Sequence, residues 1–170
     1  MNLEALAARM ERFPAALSAL VSGLPANDAL WRPDERTWSI TEIVAHLVDE
    51  ELEDFRARVL STLADPSTPW SPWDPEGTAT HRSYRERDLE SELARFAVAR
   101  ADSLEQLRAA ASGADWELAY QHPTHGPLRV GDLMTSWAAH DALHLRQISK
   151  RLFELASRDG GYGSDYAGSW

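Results

Sequence analysis

The sequence predicts an all-α fold, a four-helix bundle. Four long segments carry apolar residues at helical spacing, and almost nowhere does the chain alternate with the period of two expected of strands. With 170 residues the chain suits one domain with a single sizeable core. That domain is expected over residues 1–156, followed by a Gly-rich tail over 157–170 that is mobile or docked only through its aromatic residues. No internal repeat recurs at a fixed period.

The first helix is expected from Leu3 to Val21, with Leu6, Ala7, Met10, Phe13 and Leu17 on its apolar side. Pro14 predicts a kink or a break near Phe13, because proline removes a backbone donor and crowds the preceding turn. Ser22-Gly23 and then Pro25 end this helix, and Ala26 to Thr37 is a linker. The second helix has the sharpest start. Ser39 and Glu42 form the S-x-x-E capping box, with Trp38 and Ile43 placed as a hydrophobic staple around it. Ile40, Ile43, Val44, Leu47, Phe55 and Val59 carry its apolar stripe to about Leu63.

From Ala64 to Arg85 four prolines and a glycine predict a long irregular crossover, onto which Trp70 and Trp73 suggest packing. A third helix is expected from Arg87 to Ala111, its inner side including Phe96, Arg100, Leu104 and Leu107. Asp115 to Arg129 reads as a short hairpin or irregular crossover, and a fourth helix runs from Val130 to Ala156.

Composition narrows the function classes. Asp and Glu outnumber Lys and Arg by 27 to 17, a net charge of −10 that repels phosphate backbones and anionic lipid. Neither nucleic acid nor membrane is an expected partner; a small-molecule substrate is. No apolar run is long enough to span a bilayer, and the charged N-terminus does not read as a signal peptide. With no cysteine there is no disulfide framework, and the cytoplasm is the expected location.

The chemistry-bearing candidates are histidines. His140 and His144 stand four apart on the fourth helix, so their imidazoles lie about 40° apart around the axis and can aim at one point. Such a pair is either two helix-surface histidines or half of a metal site. Leu133, Trp137 and Ile148 turn this one toward the interior. His46, beside Ile43 and Leu47, would complete three neutral imidazoles with open positions for water or substrate. Two other metal motifs fail. There is no Glu-x-x-His pair for a di-iron centre, and Asp141 stands where a zincin needs Glu.

Asp141, on the inward side, needs a partner, such as a ligand imidazole or a tryptophan N–H. Glu50, one turn after His46, is a candidate outer-shell acceptor, general base or fourth ligand, or part of a solvated acidic face with Glu51, Glu53 and Asp54. Gln147 is a weaker candidate. Trp137 is a candidate wall of the pocket. His81, His122 and His125 fall in loops, where a surface role is expected.

Three motifs together, Trp38-Ser39-Ile40-x-Glu42-Ile43-x-x-His46-Leu47, His122-Pro123-x-x-Gly126-Pro127 and His140-Asp141-x-x-His144-x-x-Gln147-Ile148, resemble the DinB-like (DinB/YfiT) superfamily. The resemblance runs from the first helix to about Leu155. It implies an up-down-down-up bundle with a long second-to-third crossover and frequent homodimers. It also implies a three-histidine site at His46, His140 and His144 for nickel, zinc or iron. Members similar to this chain include thiol-dependent transferases that use bacillithiol, mycothiol or glutathione, so a metal-dependent thiol S-transferase with a low-molecular-weight thiol cosubstrate is the first expectation. In it Glu50 or Asp141 would orient or accept a proton. A metal-dependent hydrolase and a non-catalytic, stress-associated binding module are the alternatives.

Overall fold

A computed structural model describes residues 1–168 and 170. Helix α1 (Leu3–Val21) opens with the Asn2 side chain accepting from the Ala5 N–H at 3.1 Å. It continues through Pro14 without the expected break. Pro14 has no N–H to give the Met10 carbonyl, and a guanidinium from another helix takes that place: Arg100 Nη1 donates to Met10 O at 3.1 Å. A single turn, α2 (Ala26–Ala29), interrupts the predicted linker.

Helix α3 (Ile40–Asp49) starts on the predicted capping box, with the Glu42 N–H donating to Ser39 Oγ at 3.2 Å and the Ser39 N–H to Glu42 Oε2 at 2.8 Å. The second bundle helix is not α-helical throughout. A π-helical segment, Glu50–Phe55, separates α3 from α4 (Arg56–Ala64). An extra residue in the turn rotates the remainder of the helix by about 100°. Glu50, Glu51 and Asp54 are buried, which excludes the solvated acidic face for all three and leaves only Glu53 outside.

The crossover holds regular structure after all, in α5 (Pro75–His81) and one 3-10 turn (Tyr84–Glu86). Asp74 accepts from the Gly77 N–H at 3.1 Å and Pro75 comes directly after it, so a residue counted as a breaker is here a helix starter. Both tryptophans pack: Trp70 stacks on Tyr120 with centroids 4.0 Å apart, and Trp73 reaches Glu50.

Helix α6 (Leu89–Ala110) is capped by Asp88, which accepts from the Ser91 N–H at 2.9 Å. Strands β1 (Ala119–His122) and β2 (Gly126–Arg129) form the antiparallel hairpin, Tyr120 opposite Leu128. Helix α7 (Val130–Gly160) runs one turn beyond the predicted end, into residues assigned to the tail, and stops at Gly161, whose φ of 66° favours glycine. Of the aromatic residues beyond it, Tyr162 and Tyr166 are exposed, while Trp170 meets Phe153 edge-on at 5.8 Å.

Two apolar clusters fix the topology. Val21, Ile43, Leu89, Leu93 and Leu155 meet at one end, and Ala7, Val59, Leu107 and Leu133 at the other. Following residue numbers from cluster to cluster, α1 and α7 run one way and α3–α4 and α6 the other, the up-down-down-up order. No helix among the described residues is long and apolar enough to cross a membrane.

Candidate metal centre

α3 carries His46 and α7 carries His140 and His144, separated by one helical turn. Packing of these helices brings the rings together, with centroids 4.3 Å apart for His140–His144, 4.9 Å for His46–His144 and 5.7 Å for His46–His140. One nitrogen from each imidazole lies within 4.8 Å of the other two. In tetrahedral zinc coordination such nitrogens would be roughly 3.4 Å apart, so small side-chain adjustments suffice.

The electrostatics suit ligation. Burial pushes the His46 imidazole down to about 2 and that of His140 to about 3, with the neighbouring histidines adding to it, and burial also lowers His144. All three are therefore neutral near pH 7, the form that offers a lone pair. His144 Nδ1 lies 2.8 Å from Gln147 Oε1, which holds the proton on Nδ1 and leaves Nε2 as the donor atom. That Nε2 faces His140 Nε2 at 3.0 Å. His46 Nδ1 is buried and has no hydrogen-bond partner among the described residues. An orphaned buried nitrogen costs about 1–3 kcal/mol, and the convergence of one nitrogen from each ring is the arrangement a shared cation requires. The residues fit one divalent ion.

Around the imidazoles, Trp38 sits 4.8 Å from the His46 ring and Phe55 5.1 Å from that of His140. Trp137 is one layer behind, stacked on Phe55 at 6.0 Å, so Phe55 rather than Trp137 faces His140. Glu50 is buried with Oε1 3.6 Å from His46 Nε2, and accepts from Trp73 Nε1 at 2.6 Å. Burial and the adjacent Asp54 carboxylate raise the Glu50 carboxyl above its ordinary range.

Asp141 is partnered differently from expectation. Neither an imidazole nor an indole meets it; Arg100 Nη1 and Nη2 grip its two oxygens at 2.7 and 2.8 Å. Arg100 Nε also donates to Glu51 Oε1 at 2.9 Å, and the Trp137 indole donates to Glu51 Oε2 at 2.8 Å. Burial pushes the Asp141 carboxyl up while Arg100 draws it down.

His81, His122 and His125 stay outside the group of three. His122 Nδ1 accepts from the Thr124 and His125 N–H groups, each at 3.2 Å, a turn-stabilising role. Sequence reasoning missed Phe55, Trp73 and the part played by Arg100. Only Arg100 left a signal, a charge at helical spacing between the apolar Phe96 and Leu104.

Residues 9–148 match the family model of the DinB superfamily, and the chain belongs to that superfamily. Among solved structures, YfiT from Bacillus subtilis superposes with a TM-score of 0.78 at 17% identity, covering 95% of this chain and 89% of that one. YfiT is described as a probable metal-dependent hydrolase with an unusual four-helix bundle topology; the likeness shows a shared fold. No curated protein matches the sequence.

Proposed function

We propose that this DinB-superfamily chain is a mononuclear metal-dependent enzyme in which His46, His140 and His144 hold one divalent ion and Glu50 exchanges a proton with the nucleophile. The observation that carries the reading is the convergence of three neutral, largely buried imidazoles within 4.8 Å of one another. Zinc, nickel and iron all accept imidazole ligands. When bound, the ion supplies Lewis acidity and lowers the pKa of a nucleophile in an open coordination position.

The chain's own groups do the rest. Gln147 sets the tautomer of His144 through the 2.8 Å contact at Nδ1. Glu50, 3.6 Å from His46 and raised by burial, is suited to take up a proton and return it near neutral pH. The Trp73 indole fixes Glu50 Oε1, while Phe55 and Trp38 keep water from two sides of the imidazoles. Asp141 acts through position, its grip on Arg100 holding the turn of α7 that presents His140.

Hydrolysis is the reaction this arrangement supports best, in keeping with the likeness to a probable metal-dependent hydrolase. Thiol S-transfer is the second reading: a chain with no cysteine would take its thiol as a cosubstrate. Elemental analysis of protein purified without a His-tag should give one metal per chain, and none in His144→Ala. Glu50→Gln should keep the metal and lose roughly 10²–10⁴-fold in turnover. Assays of ester and amide cleavage, against conjugation of bacillithiol or glutathione to an electrophile, separate the two reactions. Equal metal content in wild type and His144→Ala sinks the site. A loaded protein that turns over neither substrate class is a binding module.

A further inference from the structure

Beyond the imidazoles, α7 borders a cavity of about 560 Å³ that has His140 and His144 in its wall. Its charge runs against that of the molecule. Acidic residues exceed basic ones by 27 to 17 in the chain, yet the lining holds Arg146, Lys150 and Arg151 and no Asp or Glu side chain. Lys150 is the only lysine in the sequence. Arg146 and Lys150 are exposed and make no ion pair among the described residues.

Arg151 supplies an independent observation. Its residue is 5% exposed, and although Nη1 lies 2.7 Å from Glu154, the buried Nε has no hydrogen-bond partner among the described residues. A guanidinium N–H taken from water with nothing to donate to is costly, and a modest turn of the Arg151 side chain, which borders the cavity, would bring it to an anionic acceptor there. Leu143 and Trp170, both more than half exposed, give the same cavity an apolar side.

We propose that this cavity binds the carboxylate of a small organic acid, whose reactive end points toward the three imidazoles. His144 and Arg151 are seven residues apart, about 10 Å along the helix axis. The ligand is thus a carboxylic acid whose charged group lies several bonds from its reacting group, with the carbon chain against Leu143 and Trp170. The orientation toward the imidazoles rests on the metal-centre reading; the anion site itself does not.

Calorimetric titration of zinc-loaded protein with glutarate, its neutral diamide and inorganic phosphate tests the proposal. Glutarate should bind and the diamide should not. The charge-reversed variant Arg146→Glu/Lys150→Glu changes two exposed side chains; with its zinc content verified, it should bind glutarate at least tenfold more weakly. Arg151→Met should show a similar loss, with thermal unfolding confirming the fold. Unchanged glutarate affinity in the double variant, no binding at 10 mM, or equal affinity for glutarate and its diamide overturns the proposal. Phosphate binding as tightly as glutarate overturns the organic-acid assignment. Glutarate binding abolished by His144→Ala but untouched by charge reversal places the anion on the metal, which overturns this inference while supporting the centre. A His144→Ala protein that keeps its zinc defeats the metal-centre reading, while the charge-reversal comparison still decides the anion site.

Discussion

Two polar clusters are buried across the middle of the bundle, and adjacent residues are divided between them. Glu50 goes to the imidazoles and Glu51 to Arg100; His140 goes to the imidazoles and Asp141 to Arg100. Neighbours on a helix point about 100° apart, so one turn of each helix can serve two sites. The Arg100 cluster is partnered at every atom: its guanidinium meets Glu51, both oxygens of Asp141 and the Met10 carbonyl, while Trp137 meets the remaining oxygen of Glu51. The imidazole cluster is not. Among the described residues it leaves His46 Nδ1 without a partner, and it sets two Nε2 atoms face to face at 3.0 Å. A buried network in which every nitrogen and oxygen has a partner ties helices together, whereas convergent imidazole nitrogens are a site for a cation.

The largest effect should come from breaking the Arg100 cluster. Arg100→Met leaves two buried carboxylates unpaired and frees the Met10 carbonyl, so a loss of about 3–5 kcal/mol is expected from urea denaturation. Adding Glu51→Leu and Asp141→Leu should restore much of it. A loss under 1 kcal/mol in the single variant would mean that Arg100 does not bridge the helices as described.

A smaller effect is expected at the open cluster. Gln147→Leu removes the partner of His144 Nδ1, and metal affinity measured by chelator competition should fall about 10- to 100-fold with little change in urea midpoint of the metal-free protein. Unchanged affinity would show that the 2.8 Å contact does not set the tautomer.

The clusters also separate by pH. Burial holds His46 and His140 at about 2 and about 3, while unfolded imidazoles titrate near about 6.5. Below that pH the unfolded chain takes up protons that the native protein does not. The two histidines' contribution to the stability of chelator-treated protein should therefore be full above pH 6.5 and fall toward pH 3, by up to about 1.4 kcal/mol per pH unit for each. His46→Gln should show a shallower fall between pH 6.5 and 5. Identical slopes would mean that the imidazole is not buried in the neutral form.

Much of this was legible in single segments. The capping box at Ser39–Glu42, the helical spacing around Leu89–Leu107 and the hairpin between Tyr120 and Leu128 are local signals, and the structure has each. The π segment was not legible, because an α-helical apolar stripe runs on both sides of it and nothing in Glu50–Phe55 announces the extra residue. Nor was the role of Pro14, whose lost hydrogen bond is made good from 90 residues away by Arg100. The helix start at Asp74-Pro75 escaped too, because a proline count does not distinguish a breaker from a first-turn residue.

The sequence by itself determined that four amphipathic helices form and that His140 and His144 share a face, since backbone hydrogen bonding and a 3.6-residue period depend only on neighbours in the chain. Only the tertiary structure decided that His46 closes on that pair, that Trp73 reaches Glu50 and that Arg100 claims Asp141. Those choices are made by side chains brought together from different helices, where adjacent carboxylates pointing about 100° apart meet whatever each neighbouring helix presents, the arginine for one and the imidazoles for the other.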